Sequence, residues 1–135
     1  MKIPHNAHVA LVDGNRFLVL RNKGQMFEPS LELVAEPDLE LTNFSAGIRN
    51  QEPSAPGGAS TNLNELAHGA AAAEWLNAKA KAGEIEQLVV VADPKTLGEM
   101  RRHYHVELKN CLVDEVAKAL TGEPIPTIEK VLAGA

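Results

Sequence analysis

The sequence predicts a single α/β domain built on one mixed β-sheet, and three observations support this prediction. Three short apolar or alternating runs open the chain, each bounded by turn-forming residues, as strands usually are. Farther along, helical patterns alternate with a fully apolar run, which is typical of a strand that helices cover on both faces. The 135 residues, of which 44% are hydrophobic, suffice for one core and leave little room for a second domain.

Two apolar runs near the start, residues 7–12 and 16–22, predict the first two strands. Asp13 and Gly14 lie between them and favour a hairpin, because glycine accepts a positive φ without steric cost. A third run, residues 31–36, alternates between apolar and polar side chains, so its apolar side chains are expected on one face. These side chains are Leu31, Leu33 and Ala35.

The stretch from residue 43 to residue 61 predicts a long mobile loop between the third strand and the first long helix. Proline, glycine and serine recur through it, and large apolar side chains are scarce. Such a stretch cannot bury enough apolar surface to offset the entropy lost on ordering its backbone. Loops of this length inside a compact domain are usually functional or disordered.

Two helices and a strand are predicted in the middle of the chain. Asn62 is a suitable N-cap for the first helix, with Glu65 placed to reach back to it, and Gly83 is a suitable end. An uninterrupted apolar run over residues 87–92 predicts a central strand. Asp93 is then expected to cap a second helix. The proline that follows it suits the first position of a helix, where a backbone N–H has no partner within the helix.

The segment after the start of the second helix has two interpretations. Apolar side chains four residues apart, from Leu108 to Leu120, would continue that helix to Thr121. A helix of that length is rare in so small a domain, so the alternative is a break near Asn110 and a strand over residues 112–120. The residues alone leave both open. A connector rich in glycine and proline then precedes a predicted short terminal helix.

Three segments together resemble one known family. They are Pro4 before the opening strand, the hairpin sequence DGNR at residues 13–16, and the block LVVVADPKTLGEMR at residues 88–101. The chain resembles the bacterial host-attachment protein family, which is related to the middle domain of archaeal and eukaryotic peptide-chain release factors. The resemblance covers essentially all of residues 1–135 and implies one ribonuclease H-like βββαβαβα domain. It also implies a strand near residues 112–120, and the family name implies a role in attachment of bacteria to a host.

The resemblance further implies a position for the Gly-Gly-Gln motif with which release factors trigger hydrolysis of peptidyl-tRNA. The corresponding residues here are Pro56, Gly57, Gly58 and Ala59, so alanine replaces the glutamine and release activity is not expected. Arg49 is the only cation of the loop, whereas a segment that enters ribosomal RNA needs several. Arg49, Gly57 and Gly58 are kept as candidate binding residues.

A cluster of basic residues is the other candidate binding surface. The cluster surrounds Tyr104 in the sequence and consists of Lys95, Arg101, Arg102, His103 and Lys109. Such a group can contact phosphate while the aromatic ring stacks on a base. In the alternative interpretation, the cations form the exposed face of an amphipathic helix and Tyr104 packs inward.

A divalent-metal-dependent nuclease is the rival hypothesis, because a ribonuclease H-like order invites a search for carboxylates that hold two metal ions. Asp13 ends the first strand, Asp93 ends the fourth, and Glu74 lies on the helix between them. In the alternative interpretation, the same three residues have structural roles. Asp13 stabilises its hairpin, Asp93 caps a helix and Glu74 lies on the exposed face of a helix. No bound metal or cofactor is expected.

Composition excludes several classes of protein. The net charge of −5 argues against broad binding to nucleic acid, and DNA is not an expected partner. The single cysteine, Cys111, excludes an internal disulfide and a multi-cysteine zinc site. No apolar stretch approaches the roughly 18–20 residues of a spanning helix, so membrane insertion is not expected. No signal-peptide pattern is visible either, so we expect a cytoplasmic protein.

The function predicted from these observations is that of a non-enzymatic interaction module. Its expected partner is the ribosome or an RNA-associated protein, engaged through the long loop and the basic cluster. The sequence does not set the oligomeric state.

Overall fold

The protein is described by a computed structural model for residues 1–39 and 57–135, with side chains from residue 64 onward in the second range. These residues form five strands and four helices. In chain order they are β1 (His8–Val12), β2 (Phe17–Asn22), β3 (Leu31–Ala35), α1 (Gly57–Lys81), β4 (Leu88–Ala92), α2 (Pro94–Arg101), α3 (Val106–Cys111), β5 (Leu112–Ala117) and α4 (Ile125–Ala133). None of these helices is long and apolar enough to cross a membrane.

The strands form one mixed sheet in the order β3-β2-β1-β4-β5. β1 pairs antiparallel with β2, and β2 with β3, whereas β1, β4 and β5 run parallel. Antiparallel neighbours follow each other through short turns, while each parallel step needs a helical crossover. The predicted α/β domain with a ribonuclease H-like strand order is confirmed, and α3 is an additional short helix before β5.

The sheet separates two layers of core. One face is covered by α1, α2 and α3, whose buried side chains include Leu76, Leu97 and Leu108. The other face is covered by α4 through Ile128 and Leu132. β4 lies between the two layers with all of its residues buried, which explains its uninterrupted apolar sequence.

α1 begins earlier than the sequence predicts. It starts at Gly57, five residues before the expected cap Asn62, so Gly57 and Gly58 belong to its first turn and not to a loop. Once nucleated, a helix gains one hydrogen bond with each added residue, and the alanine-rich sequence that follows favours such extension. Residues 43–56 of the predicted loop lie outside the described residues. The predicted end is confirmed, because Gly83 follows the helix with a φ of +76°.

The segment after α2 resolves the choice between helix and strand. A continuous helix to Thr121 is wrong, and the strand that the resemblance implies is present as β5. The helix is interrupted at residues 102–105, earlier than the break expected near Asn110. β5 ends at Ala117, before the expected end at Leu120.

The buried side chain of Asn77 on α1 holds this interruption in place. Its Nδ2 donates to the carbonyl oxygen of His103 (2.8 Å), and its Oδ1 accepts from the backbone N of His105 (3.0 Å). Backbone groups that are bonded to a side chain need no partner in a helical ladder. The break between α2 and α3 is therefore satisfied by a residue about 26 positions away in the chain.

β3 contains one extra residue relative to its neighbour. Leu20 on β2 pairs with Leu33. The preceding residue, Val19, pairs with Ala35 and leaves Val34 without a partner on β2. A bulge of this kind reverses the alternation of side chains, so Ala35 packs on the face of α1 while Leu33 lies on the face of α4. The prediction of one shared face for the apolar side chains of β3 is therefore wrong for Ala35.

Candidate functional site

The carboxyl ends of β1 and β4 form the switch point of the sheet. From β1 the chain turns to β2 on one side, and from β4 it crosses to β5 on the other. Ligands of open α/β sheets bind in the crevice outside such a point. Asp13 follows β1 there, and Asp93 follows β4.

The carboxylate of Asp13 is held by three hydrogen bonds. Its Oδ1 accepts from the backbone N of Asn15 (2.7 Å) and of Arg16 (2.6 Å), which confirms the predicted role in the hairpin. Its Oδ2 accepts from the hydroxyl of Thr121, which follows β5. Burial opposes ionisation of this carboxyl, but the hydrogen bonds outweigh burial and lower the pKa of Asp13 below its ordinary value.

His68 joins the hairpin to α1. Its side chain is buried, with 7% of the residue exposed, and its Nδ1 lies 2.7 Å from the carbonyl oxygen of Asp13. A carbonyl oxygen only accepts hydrogen bonds, so Nδ1 carries a proton in this contact. Gly14 allows the close approach, because a Cβ at that position would lie 2.4 Å from Cγ of Glu65.

Arg16 completes a group of four side chains that we call the Asp13 cluster: Asp13, Arg16, His68 and Thr121. Nη1 of Arg16 donates to the carbonyl oxygen of Thr121 (3.1 Å), and its Nη2 lies 3.6 Å from Oε1 of Glu36. A cavity of about 430 Å³ opens on the side of His68. An apolar groove of about 360 Å³ opens on the side of Thr121. The cluster therefore ties three parts of the fold together between two concave surfaces.

The three carboxylates of the nuclease hypothesis have separate partners. Asp93 caps α2 as predicted, since its Oδ2 accepts from the backbone N of Thr96 (3.1 Å). Glu74 lies toward α3, with Oε1 3.6 Å from Nε2 of His105. Asp13 is held within the Asp13 cluster. In the described part of the chain, no three Asp, Glu, His or Cys side chains are grouped so that they could hold a metal ion.

The two arginines of the predicted basic cluster lie at the C-terminal end of α2, where carboxylates face them. Nη2 and Nε of Arg101 donate to Oε1 of Glu115 at 3.0 Å and 3.2 Å. Nη1 of Arg102 lies 3.2 Å from Oε1 of Glu99, a carboxylate that is itself buried. The surface formed by Lys95, Arg101 and Arg102, which we call the α2 face, is therefore more evenly charged than the sequence predicts.

Lys95 lies at the other end of α2, next to α1. Its Nζ is 4.0 Å from Oε2 of Glu65. Glu65 was expected to cap α1 through Asn62, but it lies well inside a helix that begins at Gly57. The carboxylate instead lies between α1 and α2.

Tyr104 packs inward, as in the second of its two predicted alternatives. Its ring packs against the core beneath the three helices, and its hydroxyl donates to Oε2 of Glu115 (3.0 Å). Burial, followed by the charge of Glu115, raises the pKa of Tyr104 far above its ordinary value. Because the ring of Tyr104 packs against the core, it is not placed to stack on a nucleic-acid base.

The remaining candidate residues come from the predicted loop. Gly57 and Gly58 form the start of α1, and Arg49 lies outside the described residues. Their part in binding stays a prediction. Cys111 packs partly against the core, and burial raises the pKa of its thiol, as expected for a structural cysteine and not for a nucleophile.

Sequence reasoning missed both His68 and Thr121. His68 lies among buried alanines of α1, so a titratable residue inside an apolar helical stretch is the signal that could have revealed it. Thr121 lies 108 positions from Asp13 in the chain and carries no local signal. Its role depends entirely on how the chain returns after β5.

The sequence matches the model of a family described as bacterial archaeo-eukaryotic release factor family 12 over residues 6–132. The chain belongs to this family. Membership of family 12 confirms the relationship to release factors that the resemblance implies, whereas host attachment is not part of the family's description and stays a prediction. A comparison with curated proteins finds no match.

Proposed function

We propose that this family 12 protein is a non-enzymatic interaction module that works beside the translation machinery and binds the ribosome or an RNA-associated protein. The observation that carries the proposal is the match to a release-factor family over residues 6–132, nearly the whole chain. Release factors act on the ribosome, so a domain of this descent has its natural partners there.

The use of the polar side chains at the switch point supports a non-enzymatic role. Asp13 and Asp93 are bonded to backbone N atoms of their own turns. Away from the switch point, in the last turn of α2, buried Glu99 is engaged by Arg102 and by Nε2 of His103 at 2.8 Å. Groups that hold the fold in this way are poorly placed to act as general bases or metal ligands. Ala59, where release factors carry glutamine, is consistent with the same conclusion.

The charge distribution favours a protein surface over bare RNA as the point of contact. The chain has a net charge of −5, and the arginines of the α2 face are paired with glutamates. Binding to phosphate backbones needs an excess of unpaired cations. A basic protein of the translation machinery complements such a surface better than nucleic acid does.

Sedimentation of the full chain with purified ribosomes tests the proposal. We expect the protein to migrate with ribosomal particles at low salt and to be released at high salt, because a charged contact is screened. A gradient without ribosomes gives the position of the protein alone. Migration at that same position in every salt concentration would contradict the proposal.

The non-enzymatic part needs its own test. We expect no cleavage of a structured RNA in the presence of Mg²⁺ or Mn²⁺. Cleavage that requires the metal and is lost in the Asp93→Asn variant would instead establish the nuclease hypothesis.

A further inference from the structure

A polar cavity lies beside the hairpin between β1 and β2. Its volume is about 430 Å³. The polar groups of its lining come from Asn15, Arg16, Glu36, Asp38 and His68. Pro37 and Leu39 add apolar surface to the same lining. A space of this size is large enough for a long side chain and lies within the range of small-molecule sites.

The buried ring of His68 lines this cavity and carries a hydrogen-bond acceptor. Because Nδ1 faces the carbonyl oxygen of Asp13, the lone pair of the neutral ring is on Nε2. Among the described residues, the fully enclosed side-chain atoms that lack a hydrogen-bond partner are Nδ1 of His8 and Nε of Arg21. Nε2 of His68 is not one of them, and no described residue donates to it. Nε2 is therefore the ring atom left to accept a hydrogen bond from a group that enters the cavity, which His68 lines.

The charges around the cavity are net negative. Glu36 and Asp38 contribute two carboxylates against the single guanidinium of Arg16. That guanidinium is already engaged by the carbonyl oxygen of Thr121 at 3.1 Å and by Glu36 at 3.6 Å. The other charged or titratable groups of the lining, Asp38 and His68, present acceptors.

We propose that this cavity receives the side chain of an arginine or lysine from a partner protein. The inference rests on the proposed function, because it takes the partner to be a basic protein of the translation machinery. The cationic head group would donate to Asp38 and to Nε2 of His68, while its aliphatic stem packs on Pro37 and Leu39. Such a contact depends both on the positive charge of the inserted side chain and on its length. It therefore distinguishes a long basic side chain from other positively charged groups.

Titration with single capped amino acids tests the cavity directly. The compounds are N-acetyl-arginine amide and N-acetyl-lysine amide, with N-acetyl-norleucine amide as the uncharged control, and the readout is ¹H–¹⁵N NMR of the full chain. We expect saturable shifts of the backbone signals of Asn15 and Arg16 and of the His68 ring, with affinities on the order of millimolar for so small a ligand. Norleucine amide should give no saturable shift. Equal responses to all three compounds, or none, would overturn the inference.

Two variants and a matched control identify the groups that bind. Asp38→Asn removes one carboxylate, and His68→Asn keeps a donor for the carbonyl oxygen of Asp13 while it removes the Nε2 acceptor. We expect each variant to bind the arginine compound about fivefold more weakly. Asp114→Asn makes the same chemical change on the exposed edge of β5 and should leave binding unaltered. Unfolding midpoints of all variants verify that they remain folded.

The outcomes for the cavity and for the proposed function can be told apart. If ribosome binding persists while the capped amino acids do not bind, the cavity inference fails and the proposed function stands. If the capped amino acids bind at His68 but no ribosome binding occurs, the partner assignment fails. We expect both measurements to be positive and Asp38→Asn to weaken both.

Discussion

The hydroxyl of Thr121 donates a hydrogen bond to Oδ2 of Asp13, joining residues that lie 108 positions apart in the chain. Asp13 belongs to the hairpin after β1, and Thr121 to the segment between β5 and α4. The contact closes the switch point of the sheet with side chains of the domain itself. In this family 12 protein, the position where open α/β sheets usually bind ligands is thus partly used to hold the fold together.

Loss of the Thr121 hydroxyl is expected to destabilise the protein. Thr121→Val keeps the shape of the buried side chain and removes the donor to Asp13. We expect the free energy of unfolding in urea to fall by about 1–2 kcal/mol, because a partly buried carboxylate oxygen loses its partner. Thr127→Val is the control, since Thr127 is an exposed residue of α4. Equal stabilities of the two variants would contradict a structural role for the hydroxyl.

The lowered pKa of Asp13 predicts a specific dependence of stability on pH. The ionised carboxylate contributes its full stabilisation above the ordinary value of 3.8, and this contribution is lost as the pH falls through the lower pKa of the folded state. Urea unfolding between pH 5 and pH 2 should therefore show a steeper loss of stability for the natural chain than for Asp13→Asn. Parallel curves for the two proteins would show that Asp13 does not have a lowered pKa.

The close contact between Gly14 and Glu65 can be tested by a double-mutant cycle. Gly14→Ala places a Cβ 2.4 Å from Cγ of Glu65, so we expect a loss of about 1–3 kcal/mol in the free energy of unfolding. Glu65→Ala removes the obstructing Cγ and Cδ but keeps the Cβ that would lie 2.8 Å from the new methyl group, so it should restore part of that loss in the double variant. Gly98→Ala is the control, because its added Cβ meets nothing within 4 Å and favours α2 by about 0.5–1 kcal/mol. A double variant no more stable than Gly14→Ala alone would place the strain elsewhere.

Asn22 is a fully buried polar residue whose replacement should be costly. Its Nδ2 donates to the carbonyl oxygen of Ile3 (2.9 Å), and its Oδ1 accepts from the backbone N of Gly24 (2.8 Å) and of Ser30 (2.9 Å). Asn22→Ala leaves these backbone groups without partners, so we expect a loss of about 2–4 kcal/mol, measured by urea unfolding. Asn110→Ala, at an exposed position of α3, should change stability little. A small effect of both changes would mean that water replaces the Asn22 side chain.

Local signals predict the elements of this fold, but contacts between distant residues decide their limits. The hairpin at Asp13, the cap at Asp93 and the end of α1 near Gly83 follow from side chains that act within a few residues of themselves. The break after α2 depends on Asn77, which acts from another helix. The bulge at Val34 depends on pairing with β2. Neither can be read from a local pattern.

The candidate site was less predictable than the fold for the same physical reason. The hairpin sequence identifies Asp13 as a candidate residue, but its partners His68 and Thr121 lie 55 and 108 positions away in the chain. For the basic cluster, the sequence predicts an excess of positive charge because the cations lie close together along the chain. Some of the glutamates that face them come from other elements of the fold. Glu115 reaches Arg101 from β5. Charge that looks concentrated along the chain is thus neutralised in space.

The extra residue at Val34 has a consequence for how the protein behaves at high concentration. Among the described strands β3 is the outermost on its side of the sheet, and Leu33 and Val34 leave 49% and 44% of their surface exposed. A regular strand with such side chains would be a template on which another chain could add, and repeated addition leads to fibres. The bulge interrupts the spacing of the free backbone groups halfway along β3, so an incoming strand cannot pair along its full length. A local irregularity therefore hinders the addition of another chain at the β3 edge of the sheet.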